Sequence, residues 1–359
     1  MKNKNLKPNR KPLYLLFGMF GIFGLLVYIL TIKSTLTKAR EELAVCFNVD
    51  DVKKSWDKYK EKLTTNEEFV AEVKIKLGSF NLSEPQIIEV KNWLPLAPQS
   101  LNVIVVPDLS RRIVDPYNNP DQIKNDTILL NYVWQVFKEA VNQKTDSKDR
   151  LLVDVTDGGQ AGGNFRKIAN NMIFDLSTHK RKRNLLYFNQ QGHKYEDNID
   201  SLYQLSKHPL GADYKEYFCR NLEQHIKKNT LFDDYRNVLI IVTDGYLESQ
   251  KTLYTGSLPL HDQMCQLIKS GQGLDQVFAQ TKLKIAPCDV DLSNLEVLIL
   301  EVNERQVGKG CHFEILKKCW KDWFKAMKVN NTDKNFFIQR NDATDLTKQR
   351  IRDFILDKK

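Results

Sequence analysis

The spacing of hydrophobic positions changes along the chain and divides it into regions with different predicted structures. Residues 33–65 are rich in Lys and Glu, and their apolar side chains recur at helical spacing, which predicts a helical stalk. Residues 68–77 alternate between polar and apolar side chains, which predicts a strand, and Ser83 predicts the N-cap of a following helix. We therefore predict a small stalk, or juxtamembrane module, over residues 36–98.

Strand and helix patterns alternate from residue 101 onward. Short, near-continuous apolar runs predict buried strands, and apolar residues at every third or fourth position predict helices. The predicted strands are residues 101–106, 151–155, 184–188, 238–242, 295–302 and 336–338. The predicted helices are residues 127–141, 214–226, 261–270, 313–327 and 343–356. Such alternation is typical of an α/β fold, so we predict a doubly wound, mostly parallel sheet flanked by helices in a domain spanning residues 99–359.

An apolar run without charged residues, 13–32, precedes the predicted stalk. Its length of roughly 20 residues matches the hydrocarbon core of a bilayer when the run is helical. A cleaved signal peptide and a buried core helix are the alternatives. The run is longer than a normal signal core, and no small-residue cleavage site follows it. We therefore predict an N-terminal tail and transmembrane helix over residues 1–35.

Basic residues indicate the orientation of this span and the kind of partner. Five Lys and Arg residues lie within the first eleven positions, and three more follow the apolar run shortly after its end. This asymmetry predicts a cytoplasmic N-terminus and an extracytoplasmic large domain. The net charge of +9 comes largely from the tail, so the rest of the chain lacks the basic excess of nucleic-acid-binding proteins. We expect a membrane anchor and no nucleic-acid partner.

The cysteines leave the redox compartment open. The chain has 6 of them, widely spaced and without a Cys-x-x-Cys pair. This arrangement suits either a few disulfides or buried free thiols. Cys311, His312 and Cys319 lie close in sequence, but their spacing matches no zinc-binding template.

Polar residues follow two of the predicted strands at the point where each strand ends. Asp108 and Ser110 come directly after the first strand, and Asp244 follows residues 238–242. In doubly wound sheets, ligands bind outside the carboxyl ends of the strands. Oxygen donors from two such loops are the ligands that Mg²⁺ or Mn²⁺ prefers.

These residues resemble the metal-ion-dependent adhesion site of the von Willebrand factor A domain family. In that family an Asp-x-Ser-x-Ser motif follows the first strand, a threonine comes from a loop before a middle helix, and a Thr-Asp-Gly follows the fourth strand. Asp108 and Ser110 match the first motif, while Arg112 stands where its second serine is expected. Asp213 replaces the threonine, and Thr243-Asp244-Gly245 matches fully. The resemblance covers roughly residues 99–359, in the expected element order.

The resemblance implies two possible forms of the site. In one, Mg²⁺ or Mn²⁺ is held by a set of four side chains, Asp108, Ser110, Asp213 and Asp244. In the other, the site is degenerate and holds no metal. Three converging carboxylates repel one another unless a cation neutralises them, and Arg111 or Arg112 would then supply that charge.

The family's known role implies that the protein binds another protein. In the metal-bound form, an acidic residue of the partner would occupy the open coordination position. In the degenerate form, Arg111 and Arg112, together with Thr243 and Gly245, would contact the partner directly. Two alternatives stay open: a structural scaffold subunit of a membrane complex, and a phosphate or ester hydrolase that uses Asp108 or Ser110. We expect no enzyme activity, because no histidine has a recognisable triad setting.

Overall fold

The computed structural model describes most of the chain outside its first 34 residues. The described residues are 27, 35–95, 98–110, 121–144, 147–156, 164–178, 185–204, 212–249, 252–305, 311–340 and 345–356. The chain divides into two compact units, Met1–Leu96 and Ala97–Lys359. The predicted transmembrane run, 13–32, lies outside the described residues except for Val27. Within the part of the chain that is described, no helix has the length and hydrophobicity needed to cross a membrane.

The described part of the first unit is helical. Its four helices are α1 (35–44), α2 (Val49–Leu63), α3 (Glu67–Gly78) and α4 (Glu84–Trp93). Helix α4 begins after Ser83, the N-cap that the sequence predicts, and the backbone N–H of Ser83 donates to the Gln86 side chain at 3.0 Å.

The strand predicted over residues 68–77 is wrong, because this segment forms α3. The Asn66 side chain accepts a hydrogen bond from the backbone N–H of Phe69 at 2.9 Å and caps the helix. Phe69, Val73 and Leu77 are spaced four residues apart and are all fully buried on one face of the helix. Phe69 stacks on Trp56 of α2, with ring centroids 5.9 Å apart. Over this short segment, the apolar stripe of a helix therefore resembled the alternation of a strand.

The second unit contains a six-stranded sheet with the order β3-β2-β1-β4-β5-β6. The strands are β1 (Ser100–Pro107), β2 (Arg150–Val153), β3 (Phe174–Asp175), β4 (Tyr235–Val242), β5 (Leu295–Val302) and β6 (Phe337–Gln339). All neighbouring pairs are parallel except β2 with β3, which is antiparallel. The prediction of an α/β fold with a mostly parallel sheet is confirmed.

The third strand was assigned to the wrong segment. Residues 185–188 of the predicted strand 184–188 begin a long helix, Leu185–Gln204, and β3 lies earlier in the chain. Phe188, Tyr195 and Ile199 are buried on one face of this helix. A strand of two residues, such as β3, is too short to produce a periodic pattern in the sequence.

Helices cover both faces of the sheet. They are α5 (Gln122–Asn142), α6 (Asn164–Asn171), α7 (Leu185–Gln204), α8 (Tyr214–Glu216), α9 (Leu258–Lys269), α10 (Leu274–Thr281), α11 (His312–Ala326) and α12 (Asp345–Leu356). The single helix predicted over residues 214–226 is instead three short pieces. Helix α8 continues into a π-helical turn, Tyr217–Asn221, and a 3₁₀ turn, Leu222–His225.

The first strand is buried along its whole length, as its apolar run predicts. Ile104 and Val106 pack into one hydrophobic cluster, and Val103 and Val105 pack into a second cluster. Because successive side chains of a strand point to opposite faces, the sheet has a core on each side. The strand ends are thereby held at fixed positions.

Four of the six cysteines form two disulfides within the second unit. Cys219 is bonded to Cys288 and Cys265 to Cys311, with Cα–Cα distances of 5.1 and 5.8 Å. Cys46 and Cys319 are free and buried, so both alternatives left open by the sequence occur in one chain. Burial raises the pKa of the Cys319 thiol to about 12, which makes this thiol unreactive.

Candidate functional site

The ends of β1 and β4 bring the predicted site residues together. These strands are neighbours, and Pro107 pairs with Val242 in register. The backbone N–H of Asp108 donates to the carbonyl of Val242 at 2.8 Å, which extends the ladder by one residue. Thr243 is held on its other side, because its N–H donates to the carbonyl of Leu300 at 3.0 Å. The carboxyl edge of the sheet therefore places Asp108 beside Thr243.

Asp108 is buried and accepts hydrogen bonds from two other residues of the predicted motif. Its Oδ1 accepts from the backbone N–H of Ser110 at 2.8 Å, and its Oδ2 accepts from the Thr243 hydroxyl at 2.7 Å. The hydroxyl of a buried threonine has one hydrogen to donate, and here that hydrogen is directed to the carboxylate. Ser110 is also buried. The three residues form one connected group at the ends of two strands.

Asp244 is neutralised by an arginine that is not part of the predicted motif. The Nε of Arg305 donates to Asp244 Oδ2 at 2.8 Å. The same guanidinium donates to both oxygens of Glu248, at 3.0 and 2.7 Å, and lies 4.3 Å from the centroid of the Tyr246 ring. The backbone N–H of Tyr246 donates to the other oxygen of Asp244 at 3.1 Å. Both carboxylate oxygens of Asp244 therefore accept hydrogen bonds.

The charges around Arg305 control its protonation. Burial by itself would lower the pKa of this guanidinium, but the neighbouring Asp244 and Glu248 carboxylates raise it above its ordinary value. A cation enclosed by two carboxylates and an aromatic ring is held by charge, hydrogen bonds and cation–π attraction together. Arg305 is therefore a permanent positive charge at the carboxyl edge.

The only sequence signal for Arg305 is its position after a strand. It lies three residues beyond Val302, the last residue of β5. Pairing β5 with β4 brings that segment against Asp244, and the Asn303 N–H donates to the Asp244 carbonyl at 3.2 Å. The order of the strands in a sheet cannot be predicted from hydrophobic spacing. The sequence therefore did not indicate which residue pairs with Asp244.

The residues present do not fit a Mg²⁺ or Mn²⁺ site in this arrangement. The Thr243 hydroxyl is directed to Asp108, and Arg305 donates a hydrogen bond to Oδ2 of Asp244. A divalent cation would have to displace the guanidinium before it reached this carboxylate. Across the described ranges, no group of three or more His, Cys, Asp or Glu residues is arranged to hold a metal ion.

The remaining predicted site residues have different positions. Asp213 is partly exposed and caps α8, because its Oδ1 accepts from the Glu216 N–H at 2.9 Å. The hydroxyl of the next residue, Tyr214, donates to the carbonyl of Val106 at 3.2 Å, which places this segment near the end of β1. Arg111 and Arg112 lie outside the described residues.

Gly245 completes the turn after Asp244 in a conformation that favours glycine. Its φ is +91°, and an added Cβ would lie 3.0 Å from Val302 Cγ1 and 3.2 Å from Phe337 Cζ. The Trp320 indole N–H donates to the Gly245 carbonyl at 2.8 Å, which fixes the turn against α11. The glycine of the Thr-Asp-Gly motif is therefore required by both backbone conformation and space.

Replacing Gly245 by alanine should destabilise the protein by about 3 kcal/mol, from left-handed strain plus the close contacts with Val302 and Phe337. Gly271→Ala is the matched control, because Gly271 has a φ of +95° with no atom within 4 Å of an added Cβ. We expect this control to cost about 1 kcal/mol from strain alone. Chemical denaturation of both variants measures the difference. Equal costs would show that the space around Gly245 is not restricted.

Comparison with known proteins provides no family assignment. No family model matches the sequence, and no curated protein matches it. Among solved structures, proximal thread matrix protein 1 from the mussel byssus is similar with a TM-score of 0.33 and 11% sequence identity. The match covers 73% of this chain and only 48% of that protein. A likeness of this degree carries no argument about fold or function.

Proposed function

We propose that the second unit is a von Willebrand factor A-like domain that binds another protein through the carboxyl edge of its sheet. The observation that carries this proposal is the meeting of Asp108 with Thr243, and of Asp244 with Arg305, at adjacent strand ends. The strand order supports it, because β1 and β4 are neighbours and the motif residues follow these two strands. Ligands of doubly wound sheets bind at this edge.

We propose that this binding does not depend on a metal ion. Arg305 supplies the positive charge that a divalent cation supplies in the family's intact site, and it is held by Asp244 and Glu248. Arg111 and Arg112, which follow Ser110 in the sequence, remain the proposed contacts for acidic residues of the partner. Arginine suits this role because its planar guanidinium pairs with a carboxylate through two hydrogen bonds.

The proposed location is a membrane surface, with residues 13–32 as the anchor and the second unit outside the cytoplasm. The two disulfides support this side of the membrane, because disulfides persist in oxidising compartments and are rare in the cytosol. The charge asymmetry around residues 13–32 favours the same orientation.

Partner capture by the full-length protein tests the proposed function. The protein is purified from its native membranes in parallel with Asp108→Ala and Asp244→Ala variants, either with Mg²⁺ or with a chelator. We expect one or more proteins to be retained by the wild type, lost at least about tenfold in both variants, and unaffected by the chelator. Quantitative mass spectrometry measures retention.

The control for this experiment is Arg220→Ala, which removes an exposed arginine that is paired with Glu216 rather than with Asp108 or Asp244. It should retain every partner. Loss of binding in chelator would favour the metal-bound form of the site. Partners that are retained equally by wild type and both aspartate variants would contradict binding at this edge.

A scaffold function for the first unit is favoured by a separate observation. Val45, Phe47 and Ile75 are 65, 85 and 72% exposed, although they are large apolar residues. The Lys76 ammonium donates to the Ala44 carbonyl at 2.9 Å, which brings the end of α3 beside residues 44–47. Exposed apolar patches mark interaction surfaces. Partners that survive Asp108→Ala and Asp244→Ala but are lost in Phe47→Ser would indicate this second function.

A further inference from the structure

Two histidines form a fully buried pair behind the candidate site. His261 of α9 and His312 at the start of α11 both have zero solvent exposure, and their ring centroids are 5.1 Å apart. The Cys265–Cys311 disulfide joins α9 to the residue that precedes α11. The adhesion-site motif does not use either histidine. Buried histidines can change charge near physiological pH, so the pair is a candidate for a proton-sensitive element.

The surroundings of His261 favour a neutral ring. Its Nε2 lies 2.6 Å from the Thr255 carbonyl, and because a carbonyl only accepts, Nε2 carries the hydrogen. Its Nδ1 is buried and has no hydrogen-bond partner among the described residues. Protonation would place a second N–H there without an acceptor, beside the ring of His312. A buried, unsatisfied, charged donor is costly.

His312 connects this pair to Arg305 through Tyr246. Its Nδ1 lies 3.3 Å from the Tyr246 hydroxyl, and that hydroxyl also accepts from the Arg305 backbone N–H at 3.3 Å. An unprotonated Nδ1 accepts the hydroxyl hydrogen of Tyr246. A protonated Nδ1 donates instead, so the hydroxyl would face two donors and its own hydrogen would lose its acceptor.

We propose that the His261–His312 pair is a proton-sensitive lock that holds Arg305 on Asp244 while it is neutral and releases it when the pair takes up protons. The inference deepens the proposed function and rests on it for the biological meaning of the release. Its structural basis is independent, because every contact in the chain from His261 to Asp244 lies within the described residues.

The groups that face the pair from each neighbouring element determine the sign of the effect. They are Asp262 on α9, Tyr246 after β4, and Glu304 and Arg305 after β5. Asp262 lies 3.3 Å from His312 Nε2, while Arg305 opposes a proton on His261. Glu304 accepts from the Phe313 N–H at 3.0 Å and ties the segment that carries Arg305 to α11.

The direction of the pH dependence follows from His261. Burial, followed by the nearby His312 and Arg305, lowers the pKa of His261 below its ordinary value of 6.5. The unfolded or opened state therefore takes up a proton first as the pH falls. The free energy that neutral His261 contributes to the locked state is fully present above about pH 6.5. This contribution is lost as the pH falls through the lowered pKa.

Hydrogen exchange of the full-length protein tests the lock without any partner. The backbone N–H groups of Tyr246 and Arg305 are protected only while the locked contacts exist. We expect their protection factors, corrected for intrinsic exchange, to fall several-fold between about pH 7.5 and about pH 5.5, with a limit of about tenfold for one histidine whose pKa is lowered from its ordinary value. Amides of β4 should keep their protection, which separates local release from global unfolding. His312→Gln should abolish the change, since glutamine can accept from Tyr246 but does not titrate.

His261→Gln is a second variant with the same expected loss of pH dependence. His193→Gln is the matched control, because His193 is exposed on α7, and it should leave the pH dependence intact. Equal protection at both pH values, loss of β4 protection together with that of Tyr246, or an unchanged pH effect in both buried-histidine variants would overturn the lock. Failure of partner capture alone would contradict the proposed function and leave this result unaffected.

Discussion

Replacing Cys219 and Cys288 together by serine is expected to lower the free energy of unfolding by about 4 kcal/mol, the largest change that we foresee. The bridge spans 69 residues, and breaking it releases a long loop in the unfolded chain. It also ties the π-helical turn after α8 to the segment before β5. Denaturation in urea, with and without a thiol reductant, measures the loss.

In the presence of reductant, the wild type and the double serine variant should have the same stability, because both then lack both disulfides. Cys319→Ala is the control, since Cys319 is a buried thiol that forms no disulfide. It should cost about 1 kcal/mol and show an unchanged response to reductant. A double serine variant as stable as oxidised wild type would contradict the bridge and, with it, the main support for an oxidising compartment.

Replacing Arg305 by alanine is expected to destabilise the protein by about 3 kcal/mol. Its removal leaves Asp244, which is buried, and Glu248 without their common counter-charge. The loss should shrink when Asp244→Asn and Glu248→Gln are added, because the uncompensated charges then disappear. Denaturation of the single and combined variants gives the coupling energy directly.

Arg220→Ala is again the matched control, since Arg220 pairs with Glu216 at 2.9 Å but is 74% exposed. An exposed pair of this kind contributes less than about 0.5 kcal/mol. Should Arg305→Ala cost no more than this control, the assignment of Arg305 as the cation of the site would fail. The proposal of metal-independent binding would fail with it.

The buried strands could be predicted from the sequence because each one is marked by a run of apolar residues within the strand itself. A strand covered on both faces favours apolar side chains at consecutive positions, and β1, β4 and β5 contain such runs at residues 103–106, 238–242 and 297–300. The positions of Asp108 and Asp244 directly after two such runs then placed them at strand ends. Their proximity followed only if β1 and β4 were neighbours, which the sheet order establishes.

The elements that were predicted wrongly lacked an unambiguous apolar pattern of their own. Residues 68–77 present an apolar stripe that suits a strand or a helix, and packing of Phe69 on Trp56 decides for the helix. Strand β3 is two residues long and forms only because β2 offers a free edge for pairing. In both cases long-range contacts outweighed a short-range pattern.

The sequence by itself determined the α/β class, the strand ends and the motif residues Asp108, Ser110 and Thr243-Asp244-Gly245, because each depends on short-range spacing. Only the tertiary structure decided which charge neutralises Asp244, since Arg305 reaches it through the pairing of β4 with β5. It likewise joined the cysteines into their pairs and brought His261 against His312. These contacts link residues that are far apart in the chain, and such partners are selected by packing of whole elements rather than by any local pattern.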